Sequence, residues 1–128
     1  MKIERFEDLE IWMEARKLCK IIFDITSTGA FEKDYKFKYQ MRSAGGSIMD
    51  NVAEGFGRGG NKEFINFLSI AKGSSEEVKS QTYRAFDFNY ISEEKQLEIL
   101  QQTDRITRML ANLIKYLRKS DQKGLKFD

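Results

Sequence analysis

Gly55, Gly57 and Gly60 in the stretch EGFGRGG (54–60) fit the spacing G-x-G-x-x-G. Glycines so placed let a backbone turn tightly and approach a dinucleotide pyrophosphate, provided a strand enters the turn and a helix leaves it. Here the residues before Gly55 carry a helical pattern, and no second strand closed by an acid follows. The phosphate-loop alternative also fails, because Gly60-Asn61-Lys62 lacks the Gly-Lys-Ser/Thr ending. The plainer reading is that Gly55 and Gly57 end one helix, Gly59 and Gly60 turn the chain, and Asn61 caps the next helix. Arg58, Lys62 and the start of that helix leave a weak anion contact open.

Carboxylates and hydroxyls form the second candidate constellation. Ser47, Asn51 and Glu54 recur one and two turns apart, and Ser74 and Glu77 are one turn apart. Glu54 and Glu77 could work as an acid–base pair or hold a divalent metal. The chain has no histidine and a single cysteine, Cys19, so a four-ligand zinc site is out of reach and the commonest general base is missing. The better reading is a hydrogen-bonded polar layer between helices. Cys19 lies on an apolar stripe and reads as buried filler.

Charge supplies the third. Net charge is +2, from 22 basic and 20 acidic residues, unevenly spread. Residues 1–14 hold five acids and two bases, whereas residues 105–126 hold seven bases and one acid. Arg105, Arg108, Lys115 and Lys119 recur on one side of a helix, opposite its apolar seam. Such a stripe can contact phosphates or be no more than a solvated face.

The elements that carry these residues are all helical. There is no proline among the 128 residues, and no strand-like alternation competes. Helices are expected at about 7–26, 34–56, 61–90 and 92–119, with STGAFEKD (27–34) a loop and a frayed tail at 120–128. The first carries Trp12, Ala15, Leu18, Cys19, Ile22, Phe23 and Ile25 on one face; the second carries Phe37, Met41, Ala44, Ile48, Val52 and Gly55. In the third, Phe64, Phe67, Leu68, Ala71, Ser75, Val78, Phe86 and Asn89 share a face. Ser92 caps the fourth, where Ile99, Thr103, Ile106, Leu110, Leu113 and Leu117 form a bundle seam. The expected fold is all-α, a single domain folded as an antiparallel up-down-up-down four-helix bundle.

Apolar residues exceed what one core needs. Tyr39, Gly46, Met49, Ala53 and Phe56 fall off the main stripe of the second helix, and Ile65, Ile70, Tyr83 and Phe88 off that of the third. A second apolar face points to self-association. Gly45 and Gly46 each cost about 1 kcal/mol relative to alanine, tolerable where another helix packs closely. The charged N-terminus MKIERFEDLE is no signal peptide and no apolar run is membrane-length, so the expected location is cytoplasmic.

Three segments resemble a known family. FEDLEIWMEA (6–15), QMRSAGGSIMDNVAEGFGR (40–58) and FINFLSIAKGSSEEV (64–78) are similar to motifs of the bacterial four-helix-bundle proteins of the 23S rRNA intervening-sequence type, in order and over nearly the whole chain. The fold is shared with the accessory variability determinant of diversity-generating retroelements, which binds nucleic acid and a reverse transcriptase. The resemblance implies a homopentamer without established enzymatic activity. It carries over to Arg42, Ser47, Asn51, Glu54, Gly55, Ser74 and Glu77, with structural or interface roles. Ser43 stands where the family often has arginine, and Gly45 where it often has alanine.

The sequence thus reads as a non-enzymatic oligomeric scaffold or adaptor with no cofactor, no metal and no membrane association. RNA or DNA binding is the leading function, through Arg105, Arg108, Lys115 and Lys119 with Arg42, Arg58 and Lys62. The alternative is a protein–protein interaction module that binds no nucleic acid.

Overall fold

The computed structural model describes residues 3–120. The expected frayed tail lies outside that range, except Ser120, which closes the last helix. All described secondary structure is helical. A 3-10 turn at Phe6–Asp8 leads into α1 (Glu10–Ile25), followed by α2 (Gly29–Lys33), α3 (Tyr35–Gly57), α4 (Asn61–Asp87) and α5 (Glu93–Lys119).

The four long helices pack α1 on α3, α3 on α4, α4 on α5 and α5 back on α1. Cross-helix contacts show that neighbours run antiparallel. Arg42 near the start of α3 reaches Thr26 at the end of α1, and Tyr90 just past α4 reaches Asp34 just before α3. Asn61 at the start of α4 reaches the Leu117 carbonyl at the end of α5. Inside lie Leu18, Ile22, Met41, Ile48, Val52, Leu68, Val78, Ile99, Ile106, Leu110 and Leu117, all essentially without solvent contact. Burying each is worth roughly 1.5–3 kcal/mol, and this drives the packing. The α5 seam follows expectation except that Ile114, not Leu113, is the buried residue at that level.

Several boundaries differ from the sequence reading, each for a local reason. The expected first helix is broken at Leu9, whose extended backbone (φ −76°, ψ 125°) buries its side chain in the core. The expected loop 27–34 contains α2, because Phe31 is fully buried between Phe37 and Tyr90, ring centroids 4.9 Å from each. Asn89, expected on an apolar face, instead takes a left-handed conformation (φ 62°) and ends α4. The Tyr90 amide donates to the Ala85 carbonyl and the Asn89 amide to the Phe86 carbonyl, the paired bonds of a Schellman cap. Ser92 caps α5 as expected, accepting from the Lys95 amide at 3.1 Å.

The glycine stretch is also corrected. Gly55 does not end its helix; it lies within the last turn of α3, which runs to Gly57. A Cβ at Gly55 would come within 2.6 Å of Phe67 Cβ, so the bare backbone lets α4 approach. Gly59 makes the turn with φ 98°. Gly60, not Asn61, is the N-cap of α4. The Asn61 side chain instead donates from Nδ2 to the Leu117 and Ser120 carbonyls at 3.2 and 3.3 Å, tying the start of α4 to orphan carbonyls at the end of α5.

Two substitutions test this packing. Gly55→Ala must push α3 from α4 and is expected to cost about 1–3 kcal/mol. Phe31→Ala, emptying the plug at the other end, is expected to cost about 3–5 kcal/mol. Urea denaturation at equilibrium measures both; an unchanged midpoint for Gly55→Ala would remove the close-approach account.

Candidate nucleic-acid interface

The structure splits the expected basic residues into two groups. Arg105 is half-exposed and paired within the chain: its Nε lies 3.1 Å from Glu14 Oε1. Glu14 is a buried carboxylate, 7% exposed, on the α1 face that meets α5. It also accepts from Lys17 Nζ at 3.0 Å and Gln102 Nε2 at 3.1 Å. The Lys17 bond holds its carboxyl below the usual range, helped by Gln102 and the Arg105 charge and opposed by burial. Arg105 therefore bridges helices and is withdrawn from the expected phosphate-contact set.

Arg42 and Arg58 are likewise engaged. Arg42 donates from Nε to Thr26 Oγ1 at 2.8 Å and from an Nη to Ser27 Oγ at 3.0 Å, while Thr26 donates to the Ile22 carbonyl. This closes the last turn of α1. The Arg42 guanidinium also lies over Phe23, 4.6 Å from its centroid. Phe23, expected on the core face, is 53% exposed and forms the outer wall of this contact. Arg58 pairs with Glu54 at 2.9 Å and covers the Phe67 ring.

The second group is free for solution contact. Arg108, Lys115 and Lys119 are exposed on the outer side of α5, and none is paired with an acid among the described residues. They fall within about one quarter of the helix circumference, opposite the buried seam. Lys62 is exposed at the start of α4, which Asn61 fixes beside the end of α5. Two more bases join them, Lys72, which sequence reading missed, and Arg118, which it counted only within the basic end of the chain. Lys72 on α4 and Arg118 on α5 line one groove between these helices, with Ser69, Gly73, Ala111 and Ile114. They are 46 residues apart in the chain, and the signal for them is their place on adjoining flanks of antiparallel helices.

The polar constellation on α3 and α4 is a helix-to-helix bridge. Ser74 Oγ donates to Ser47 Oγ at 2.9 Å, and Asn51 Nδ2 donates to the Ser47 carbonyl at 2.7 Å and its Oγ at 3.0 Å. Glu77 lines the same shallow depression as Ser47 and Ser74 and accepts from Gln81. Glu54 is not part of it, being exposed and paired with Arg58, so of the two readings it is the polar layer, without Glu54, that the contacts match. Among the described residues no three acids or thiols are grouped to hold a metal. Burial pushes the Cys19 thiol up to about 11, with Asp50 contributing, so little thiolate exists near neutral pH.

Fold and surface define a class: an all-helical bundle whose notable outer features are a basic flank on α4–α5 and a polar bridge on α3–α4. The family assignment is sharper. The 23S rRNA-intervening sequence protein family matches residues 7–112, and the chain belongs to that family. Among solved structures, the chain is similar to a protein of unknown function from the S23 ribosomal protein family of Bacteroides thetaiotaomicron VPI-5482. The two are 21% identical with a TM-score of 0.75, covering 82% of this chain and 98% of that one, a likeness of fold. No curated protein matches. No described helix is long and apolar enough to cross a membrane.

The Glu14 cluster predicts a pH dependence. The folded-state pKa is depressed, so its stabilisation is present above about 4.5, the ordinary carboxyl value, and is lost as pH falls through the folded value. Glu14→Gln is expected to lower stability at pH 7 and to flatten the loss of stability between neutral and acid pH. Denaturation midpoints across that range measure this; a parallel wild-type and variant profile would refute the assignment.

Proposed function

We propose that the protein is a non-enzymatic, cytoplasmic homo-oligomeric scaffold that binds RNA or DNA through the outer face of α5. The unit of assembly is an up-down-up-down four-helix bundle, with α2 as a plug, and the oligomer is a homopentamer. The observation that carries the nucleic-acid reading is the exposed set Arg108, Lys115 and Lys119, unpaired on a helix whose opposite face is core. One copy presents few phosphate contacts, but a ring repeats them, and each contact adds a counterion-release term.

Self-association rests on a different face. Gly46 lies mid-helix in α3, and no other part of the chain would come within 4 Å of a Cβ there. Its helix-propensity cost has no offset within the chain, unlike that of Gly45, where a Cβ would meet Ile22. Tyr39, 56% exposed, lines the same depression as Gly46, and Ile70 on α4 is 53% exposed. Met49 and Ile65, by contrast, are partly buried against the core, and Phe56 is fully part of it. The surplus apolar surface is thus narrower than the sequence indicates, although Tyr83 in α4 and Phe88 just past it remain 47% and 50% exposed.

A protein-interaction module is the second reading, favoured by the row Phe23, Tyr39 and Tyr35 on the α1–α3 side. Arg42 lies over the first two rings, and Lys38 over Tyr39 and Tyr35. Arg42 and Lys38 are committed to internal partners, so these rings offer aromatic surface more than charge.

Electrophoretic retardation of a structured RNA tests the leading reading. Wild-type protein is expected to shift it at low salt, with affinity falling linearly in log–log plots against salt. Changing Arg108, Lys115 and Lys119 together to Gln is expected to abolish the shift while leaving the thermal transition in place. No wild-type shift at low salt, with a protein partner retained through nuclease treatment, would favour the interaction module instead. Light scattering reads the assembly, and a monomer of 15.0 kDa would refute self-association.

A further inference from the structure

Five glycines lie in the long helices; apart from Gly57, the last residue of α3, they divide by what surrounds them. Gly45 and Gly55 face other helices, where an added Cβ would come within 2.7 Å of Ile22 Cδ1 and 2.6 Å of Phe67 Cβ. Gly46 and Gly73 face open space. Gly73 is exposed in the middle of α4 and lines the α4–α5 groove of about 370 Å³. Glycine there costs about 1 kcal/mol relative to alanine, and nothing in the chain needs the missing side chain.

The groove has a definite chemistry. Lys72 on α4 and Arg118 on α5 line it, with neither paired to an acid among the described residues. Ser69 adds a hydroxyl, and Ala111 and Ile114 give the α5 wall little height. One carboxylate, Glu76, also lines it, with its Oε1 3.4 Å from the Thr107 hydroxyl, which lies closer to Ser75 Oγ at 3.0 Å. Along the outer side of the same helix, Arg108, Lys115 and Lys119 extend the positive charge beyond the groove.

We infer that this groove seats the phosphodiester backbone of a nucleic-acid strand, with Lys72 and Arg118 on its phosphates and Gly73 leaving the helix surface bare so that the strand lies against it. The inference rests on the nucleic-acid reading above and adds to it a place and a steric requirement. A strand on the outer face of α5 alone would contact Arg108, Lys115 and Lys119 and be indifferent to residue 73. A strand seated in the groove meets the first atom added there.

The steric requirement separates binding from stability. A Cβ at Gly73 would have no atom of another part of the chain within 4 Å, and either substitution removes a helix-weakening glycine, so Gly73→Ala and Gly73→Leu are both expected to melt at or above the wild-type temperature. Both are expected to weaken binding of a fluorescein-labelled RNA hairpin, by about tenfold for Leu, a loss of about 1.4 kcal/mol. Lys72→Gln and Arg118→Gln are each expected to lower the salt slope by about one contact. Wild-type affinity in both Gly73 variants, at unchanged salt slope, overturns the groove while leaving nucleic-acid binding intact. Failure of the wild type to bind the hairpin overturns both. A change in oligomer mass on Gly73→Leu, read by light scattering, would assign the groove to another copy of the chain and overturn the inference.

Discussion

The α3–α4 seam sets the distance on which the other contacts depend. It is fixed at three levels. At one end the bare backbone of Gly55 admits Phe67. In the middle Ser74 bonds Ser47. At the other end the Tyr90 hydroxyl donates to Asp34 at 2.8 Å, and Asp34 in turn accepts from the Phe37 amide. Close-packed interiors do not slide by fractions of a turn, so three such points fix one register. Once α4 is placed, Ser75 and Thr107 join it to α5, with hydroxyls 3.0 Å apart. Once α3 is placed, Arg42 fixes the end of α1. Glu14 then closes the ring between α1 and α5.

That last contact explains how charge is divided. A buried carboxylate is costly unless it is bonded on several sides, and Glu14 draws in Lys17, Gln102 and Arg105 to meet the requirement. Arg105 is thereby removed from a stripe that looks uniform along α5. Arg42 is spent on carrying Thr26 and Ser27, and Arg58 on Glu54. Of the cations left unpaired, Lys72, Arg108, Lys115, Arg118 and Lys119 lie on α4 and α5, and Arg16, Lys33 and Lys36 are spread over α1, α2 and α3. The net charge of +2 understates the contrast, because internal pairing neutralises bases selectively by position.

Much of the architecture was legible in the sequence. Period-3.6 stripes placed the four long helices, and Ser92 announced α5, because both signals are local. The errors arose where a residue's role depends on something distant. Phe31 sits in a segment too short to show a period, and only Phe37 and Tyr90 make it a core residue. Asn61 resembles a cap until the end of α5 arrives to accept its amide. Glu14 is charged and reads as surface; its burial follows from partners near residues 102 and 105. Lys72 and Arg118 belong to different helices, so no window of sequence could join them. The hydroxyl bridge was visible as types and spacing on each helix, while its closing bond was not.

The opening glycines gain a physical meaning from their surroundings. A glycine inside a helix is a local loss, and local losses persist where a contact offsets them. At Gly55 the offset is Phe67, and the motif that looked like a nucleotide cradle is a helix-packing device. The same test applied along the chain is more discriminating than the spacing of the motif. It accounts for Gly45 within the fold and leaves Gly46 and Gly73 without an internal reason. Those two lie on different sides of the bundle. Gly46 is flanked by Tyr39, Ser43 and Ser47, and Gly73 by Lys72 and Arg118. The Gly46 side is rich in hydroxyls with one aromatic ring, whereas the Gly73 side carries two unpaired cations beside one carboxylate, Glu76. Gly46 and Gly73 thus lie on surfaces of different chemistry, and for neither does the fold itself supply a reason.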